Sequence, residues 1–175
     1  QTLTLTYYPN RSMNPYTCTD FTNRVVFSLL YQGLFSVDRD YRVEPVLCRS
    51  YQISADGKTY TFQLARAWFP DGTAVTARDV VESLKAARKG PYYSGRFLHI
   101  LSISEKDGAV VLKLDTPCEQ LPMLLDIPIV KAEQVEAEHP LGTGPYIYES
   151  NLAGAQLRRN GAWWCSSPDL VATAD

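Results

Sequence analysis

The chain opens on a period of two. In TLTLTYY, Leu3, Leu5 and Tyr7 fall on one side and threonines on the other, which predicts a strand. The next stretch, NRSMNPYTCTD, is rich in Asn, Ser, Thr and Pro and predicts a loop. Asp20 or Thr22 can then cap a helix that runs to Tyr31, with Phe21, Val25, Ser28 and Leu29 on its inner stripe and Gly33 placed to stop it. Hairpins follow. Phe35 and Val37 face Tyr41 and Val43 across Asp38-Arg39-Asp40. Tyr51 and Ile53 face Tyr60, Phe62 and Leu64 across a turn containing Asp56-Gly57, where glycine accepts the positive φ that tight turns require.

The segment FPDGTAVTARDVVESL carries a turn at Asp71-Gly72 and then a helix start. Thr76 is an N-cap, and Asp79, three residues on, can return a hydrogen bond to the Thr76 amide in a shortened capping box. Val80, Val81, Leu84 and Ala87 form the apolar stripe, and Gly90 ends the helix. After a loop with two adjacent tyrosines, Leu101 and Ile103 pair with Val110, Leu112 and Leu114 in a third hairpin. PCEQLPMLLDIPIV predicts a short buried helix followed by an extended piece, and KAEQVEAEH a polar helical turn or two. GTGPYIYES and AQLRRN predict a fourth hairpin. Hairpins mixed with helices, without a fixed-period repeat, place the fold in the α+β or mixed α/β class.

Composition narrows the function. With 175 residues, 45% apolar and 21% charged, the chain has the balance of one globular domain, or of one large lobe of a bigger protein. A net charge of −2 offers no basic field for nucleic acid or an anionic membrane. The longest apolar patch is broken by Pro122, Asp126 and Pro128, well short of the roughly 18 residues a bilayer span needs. Eleven tyrosines against six phenylalanines suit half-exposed cleft walls, and equally sheet edges. The start on Gln1 is accounted for by a processed secretory segment or by trimming.

Cys18, Cys48, Cys118 and Cys165 form no CxxC; they can pair into disulfides or serve as small buried hydrophobes. His99, beside apolar residues, is read as packed or surface, His139 as exposed, and the two lack metal-ligand spacing. GTGPY lacks a phosphate-loop lysine and the GxGxxG pattern, and no GxSxG occurs. No carboxylate pair is singled out for glycosidase chemistry, and Asn10-Arg11-Ser12 is an isolated glycosylation sequon. The reading is of a protein that is not an enzyme and holds no cofactor or metal.

The order of motifs resembles family 5 extracytoplasmic solute-binding proteins, the oligopeptide, dipeptide and nickel receptors of ABC importers. It runs through Tyr31-x-Gly33-Leu34, an acidic hairpin, Pro45, Asp56-Gly57-Lys58 with Tyr60 and Phe62, Phe69-x-Asp71-Gly72, Thr76-Ala77-x-Asp79-Val80, Gly-Thr-Gly-Pro-Tyr at 142–146 and the run ending in Trp163-Trp164. Cys48 stands where the family has Ala, Ala65-Arg66 replaces an Arg-x pattern, and Trp163 takes a Tyr place; all three read as packing changes.

The resemblance implies a mixed α/β lobe of the periplasmic-binding-protein-like class II fold, with a mixed sheet, hairpins and flanking helices. Residues 1–165 would form most of the N-terminal lobe, and 166–175 the start of the crossover towards a second lobe outside this chain. It implies a monomer that takes a peptide or similar small solute between two lobes and delivers it to permease subunits. The membrane would be touched only through a lipid anchor outside this chain. The segment Tyr16, Thr17, Cys18, Thr19, Asp20 and Phe21, together with Tyr92 and Tyr93, resembles the family's cleft edge and is expected to bind ligand. The same fold fused to a transcriptional regulator, sensing solute to signal, is the alternative.

Overall fold

A computed structural model describes residues 5–152 and 154–165. Leu3 and the crossover expected at 166–175 lie outside the described residues. Residues 5–8 form no strand; a half-buried Tyr7 instead meets Tyr148 edge-on, ring centroids 6.3 Å apart. Alternation predicts a buried face, whereas a strand also needs a partner ladder.

The helix α1 spans Phe21–Leu30. Asp20 caps it, accepting from the Asn23 amide at 3.0 Å. The buried stripe is Asn23, Val26, Phe27 and Leu30, so the expected stripe is corrected: Phe21 is 83% exposed, and Val25 and Ser28 are also exposed. Both faces of this helix carry apolar residues, so periodicity alone does not choose between them. Asn23 decides: its side chain accepts from the Tyr8 amide at 2.7 Å and donates to the Tyr8 carbonyl at 3.0 Å. These bonds pin the preceding segment over that face. The helix ends at Leu30 with Tyr31 extended, before Gly33 is reached. Gly33 serves close approach instead, since a Cβ there would stand 2.7 Å from the Ile127 carbonyl oxygen.

The hairpin β1 (Phe35–Val37) and β2 (Val43–Pro45) pairs Val37 with Val43 and Phe35 with Pro45. Tyr41, expected in the strand, sits in the turn at φ 60°, because five residues connect the strands and the turn consumes it. The second hairpin matches its reading: β3 (Cys48–Ile53) and β4 (Thr59–Leu64) pair Tyr51 with Phe62 and Ile53 with Tyr60, with Gly57 at φ 73°. The third joins β5 (Ile100–Lys106) and β6 (Ala109–Leu114). A bulge between Ile100 and Ser102 turns Leu101 outward to 66% exposure, so Ile100 and Ile103 are the buried residues. One extra residue reverses the side-chain alternation, which the period-two pattern cannot anticipate.

These strands form one four-stranded sheet in the order β3-β4-β6-β5. The α/β class and the hairpins are as expected, but the ladders among the described residues are all antiparallel, not mixed. Hairpin connections are short, and parallel pairing requires long crossovers. Helix α2 (Ala77–Lys89) packs on β5 and β6 and buries Val80, Val81, Leu84 and Ala87 in the core that also holds Phe62, Val110 and Leu112. Its capping box is complete: the Asp79 carboxylate accepts from the Thr76 amide at 2.8 Å, and Thr76 accepts from the Asp79 amide.

A short helix α3 (Leu121–Leu124), a 3-10 turn at Ala132–Gln134 and the hairpin β7 (Tyr146–Asn151) and β8 (Gly154–Arg159) complete the described chain. Gly-Thr-Gly at 142–144 lies against the end of α1, where a Cβ on Gly144 would meet the Leu29 carbonyl at 2.5 Å. Gln32 gathers this corner, accepting from the buried Thr143 hydroxyl at 3.0 Å and the Trp164 indole at 2.8 Å. Trp163 donates to the Thr143 carbonyl at 2.7 Å, a packing role for a residue that departs from the resemblance. All four cysteines are free, with Cys18 and Cys48 buried and Cys165 exposed.

Candidate ligand-binding surface

The loop before α1 is shaped by Asn14. Its side-chain oxygen accepts from the Tyr16 amide at 2.9 Å, and its Nδ2 donates to the carbonyls of Val135 and Ala137 at 2.9 and 2.6 Å. The local bond makes an Asx turn, and the distant ones tie that turn to the chain beyond α3. Tyr16 is driven inward and donates its hydroxyl to the Pro128 carbonyl at 2.7 Å; burial holds its phenol well above the ordinary range. Gly90 lies directly over this loop, since a Cβ would stand 2.1 Å from the Tyr16 carbonyl oxygen. Gly90 has φ −80°, so close approach is what the position requires, with no left-handed cap.

Asp20 caps α1 and pairs with Arg11. The Asn23 amide, and then the Arg11 guanidinium against some burial, hold its carboxyl below the usual range. Cys18 is buried, and burial pushes its thiol up.

Arg24 was not singled out by sequence, yet it unites the two expected segments. Its Nη1 donates to the carbonyls of Pro15 at 3.1 Å and Cys18 at 2.8 Å, and its Nη2 to the Tyr93 hydroxyl at 2.5 Å. Its guanidinium carbon lies 3.4 Å from the Tyr92 ring centroid. Tyr92 meets Tyr93 edge-on at 4.8 Å, and Arg96 lies over Tyr93 at 4.9 Å while donating to the Leu124 and Asp126 carbonyls. Burial raises the Tyr93 phenol, and both arginines draw it back down.

The eight residues expected at the site therefore split by burial. The side chains of Tyr16, Cys18 and Tyr93 are in the core, and Asp20 is half-buried at the helix cap. Thr17, Thr19, Phe21 and Tyr92 are exposed, with Tyr92 at 51%. Buried members shape the corner, and the exposed ones present hydroxyls and aromatic faces to solvent. Arg24 gave no local signal, because its partner Tyr93 is 69 residues away. Asn14 was legible as a turn former, but not as the tie to 135–137.

Elsewhere, a groove of ≈ 440 Å³ lies between β1–β3 and α3, lined by Phe35, Cys48, Tyr51, Pro122 and Met123 among others. Burial pushes the Cys48 thiol up to about 11, and it donates to the Ser50 carbonyl. His99 is exposed and bonds Asp115 at 3.0 Å; His139 is exposed and stacks on Tyr148 at 3.9 Å. Among the described residues no group of three or more His, Cys, Asp or Glu could hold a metal ion, and no helix is long and apolar enough to cross a membrane.

An antiparallel sheet backed by α2 carries this corner, and its likeness to solved structures gives the class of the fold, that of the periplasmic-binding proteins. The chain matches the mannopinic acid complex of MoaA from A. tumefaciens R10 with a TM-score of 0.77 and 25% identity, covering 87% of this chain and 35% of that one. It matches the oligopeptide-binding protein AppA of Bacillus subtilis, solved with a nonapeptide, at TM-score 0.71 and 23% identity over 86% of this chain and 34% of AppA, a likeness of fold. Residues 42–173 match the sequence profile "Bacterial extracellular solute-binding proteins, family 5 Middle", and the chain belongs to that family. It is 33% identical over 152 residues to the glutathione-binding protein GsiB of Pectobacterium atrosepticum, covering 78% of this chain and 29% of that protein. The chain thus spans about 30% of the length of the curated relatives it matches.

Proposed function

We propose that this chain is part of an extracytoplasmic receptor of an ABC importer, one that binds a solute without transforming it. Residues 1–165 contribute most of one lobe. The solute is a peptide or a similar small amino-acid-derived acid, held between this lobe and a second one and passed to the permease. Glutathione in GsiB, mannopinic acid in MoaA and the nonapeptide in AppA support that class. The observation that carries the reading is the Arg24 bridge, which joins the 15–18 loop to Tyr92 and Tyr93 in one corner with Thr17, Thr19, Phe21 and Tyr92 open to solvent.

In this reading the corner is half of a grip. Contacts from both lobes exist only in the closed form, so the solute shifts the population towards closure, and one lobe alone binds poorly. Mass spectrometry of the solute that co-purifies with the complete protein tests the reading. A peptide or a related acid is expected. A metal chelate would overturn the solute class, and turnover of added peptides would overturn the assignment as a receptor.

A further inference from the structure

A guanidinium beside a solute surface should have its charge accounted for. Arg24 is half-buried, and no carboxylate lies within ion-pair distance of it among the described residues. Acids on the packed elements are otherwise engaged. Asp20 pairs with Arg11 and caps α1, Glu138 accepts from the Met13 amide at 3.1 Å, and Asp126 lies beside Arg96. Carbonyls and a phenol satisfy some of its hydrogens, but neutral acceptors leave the positive charge in place. A half-buried cation without a counter-ion is costly, and the field it sets up draws in an anion.

The donor arrangement says which anion. Arg24 uses Nη1 for Pro15 and Cys18 and one Nη2 hydrogen for Tyr93. This leaves Nε–H and the other Nη2–H without a partner among the described residues. An Nε–Nη2 edge matches the two oxygens of a planar carboxylate. The Tyr92 ring lies against the guanidinium at 3.4 Å, which keeps the plane from rotating, and Phe21 sits one turn earlier on α1.

We propose that Arg24 is the specificity-determining contact of this lobe and takes a carboxylate of the bound solute on its free Nε–Nη2 edge, with Tyr92 holding the guanidinium plane. This rests on the receptor reading above and deepens it: the solute is an acid, and its acid group is read at Arg24. Neutral analogues are discriminated against here, because they leave the cation unpaired.

The test is calorimetric titration of the complete protein with glutathione and trialanine, each as free acid and as carboxamide. The wild type is expected to prefer acid over amide by about tenfold or more, the scale of a charge-assisted bidentate bond. Arg24→Gln should bring that ratio to about one, and Arg24→Lys, a point charge without the fork, should leave it in between. A clamp that only shapes the loop would weaken acid and amide together and leave the ratio intact; that result overturns the proposal while the receptor reading stands. An Arg24→Lys ratio equal to wild type overturns the fork geometry even if the glutamine variant does not fold. Failure of the wild type to bind any of the four probes removes the peptide-like solute class, and the proposal with it.

Discussion

Removing the Asp79 carboxylate should cost far more than removing the cap it partners. Asp79 is 6% exposed. One oxygen accepts from the Thr76 amide at 2.8 Å and the Thr76 hydroxyl at 3.0 Å; the other accepts from the Ala132 amide at 2.9 Å. It therefore closes the α2 capping box and also bolts the 131–132 segment onto α2. Loss of an N-cap interaction costs about 1 kcal/mol. Leaving the buried Ala132 N–H without an acceptor adds about 1–3 kcal/mol. Asp79→Ala should lower stability by about 2–4 kcal/mol, and Thr76→Ala by about 1 kcal/mol. With a urea m-value of about 2 kcal/mol/M, a 3 kcal/mol loss moves the midpoint down by about 1.5 M, readily seen by far-UV circular dichroism. Asp79→Asn, which keeps one acceptor, should fall between the two. Midpoints for Asp79→Ala and Thr76→Ala that coincide within about 0.5 kcal/mol would refute the reasoning, since the Ala132 tie would then contribute nothing.

Gly90→Ala should destabilise by about 1–3 kcal/mol through overpacking, because φ suits alanine and only the 2.1 Å approach to the Tyr16 carbonyl resists it. Gly95→Ala, with nothing within 4 Å, should leave the melting temperature unchanged in the same scan. Asp71 is raised by partial burial but held down to about 2 by Lys131 and by two hydrogen bonds from Thr73. A depressed folded-state pKa contributes stability above the unfolded value of about 3.9 that is lost as pH falls through the folded value. Acid titration should therefore show a loss between about pH 4 and pH 2 that is smaller in Asp71→Asn, the remainder belonging to other depressed carboxyls such as Asp20. Gln32→Ala strands the Trp164 indole and the buried Thr143 hydroxyl; a loss of about 1–2 kcal/mol with a shift in tryptophan emission is expected, and an unchanged spectrum would exclude this role.

What could be read without coordinates was local. The Asp56-Gly57 turn, the box at Thr76 and Asp79 and the stripe from Val80 to Ala87 depend on residues within a few positions of one another. Their hydrogen bonds and side-chain faces follow from the sequence alone. The family motifs are mostly of this kind, so the class of the fold was legible; the structure adds that 16–21 and 92–93 meet at Arg24.

Tertiary structure decided the rest. It chose between two apolar faces of α1 through Asn23 and Tyr8, turned Leu101 outward with a bulge, gave Gly33 to close backbone approach where a helix stop was expected, and laid the Tyr16 loop against Gly90, which ends α2 as expected. It also separated buried Tyr16, Cys18 and Tyr93 from exposed Thr17, Thr19, Phe21 and Tyr92, and it brought in Arg24. The physical reason is the same in each case. Local dihedral and hydrogen-bond preferences are properties of a few neighbouring residues. Which face is covered, and which charge is left without a partner, depends on segments dozens of residues away that only the folded chain brings into contact.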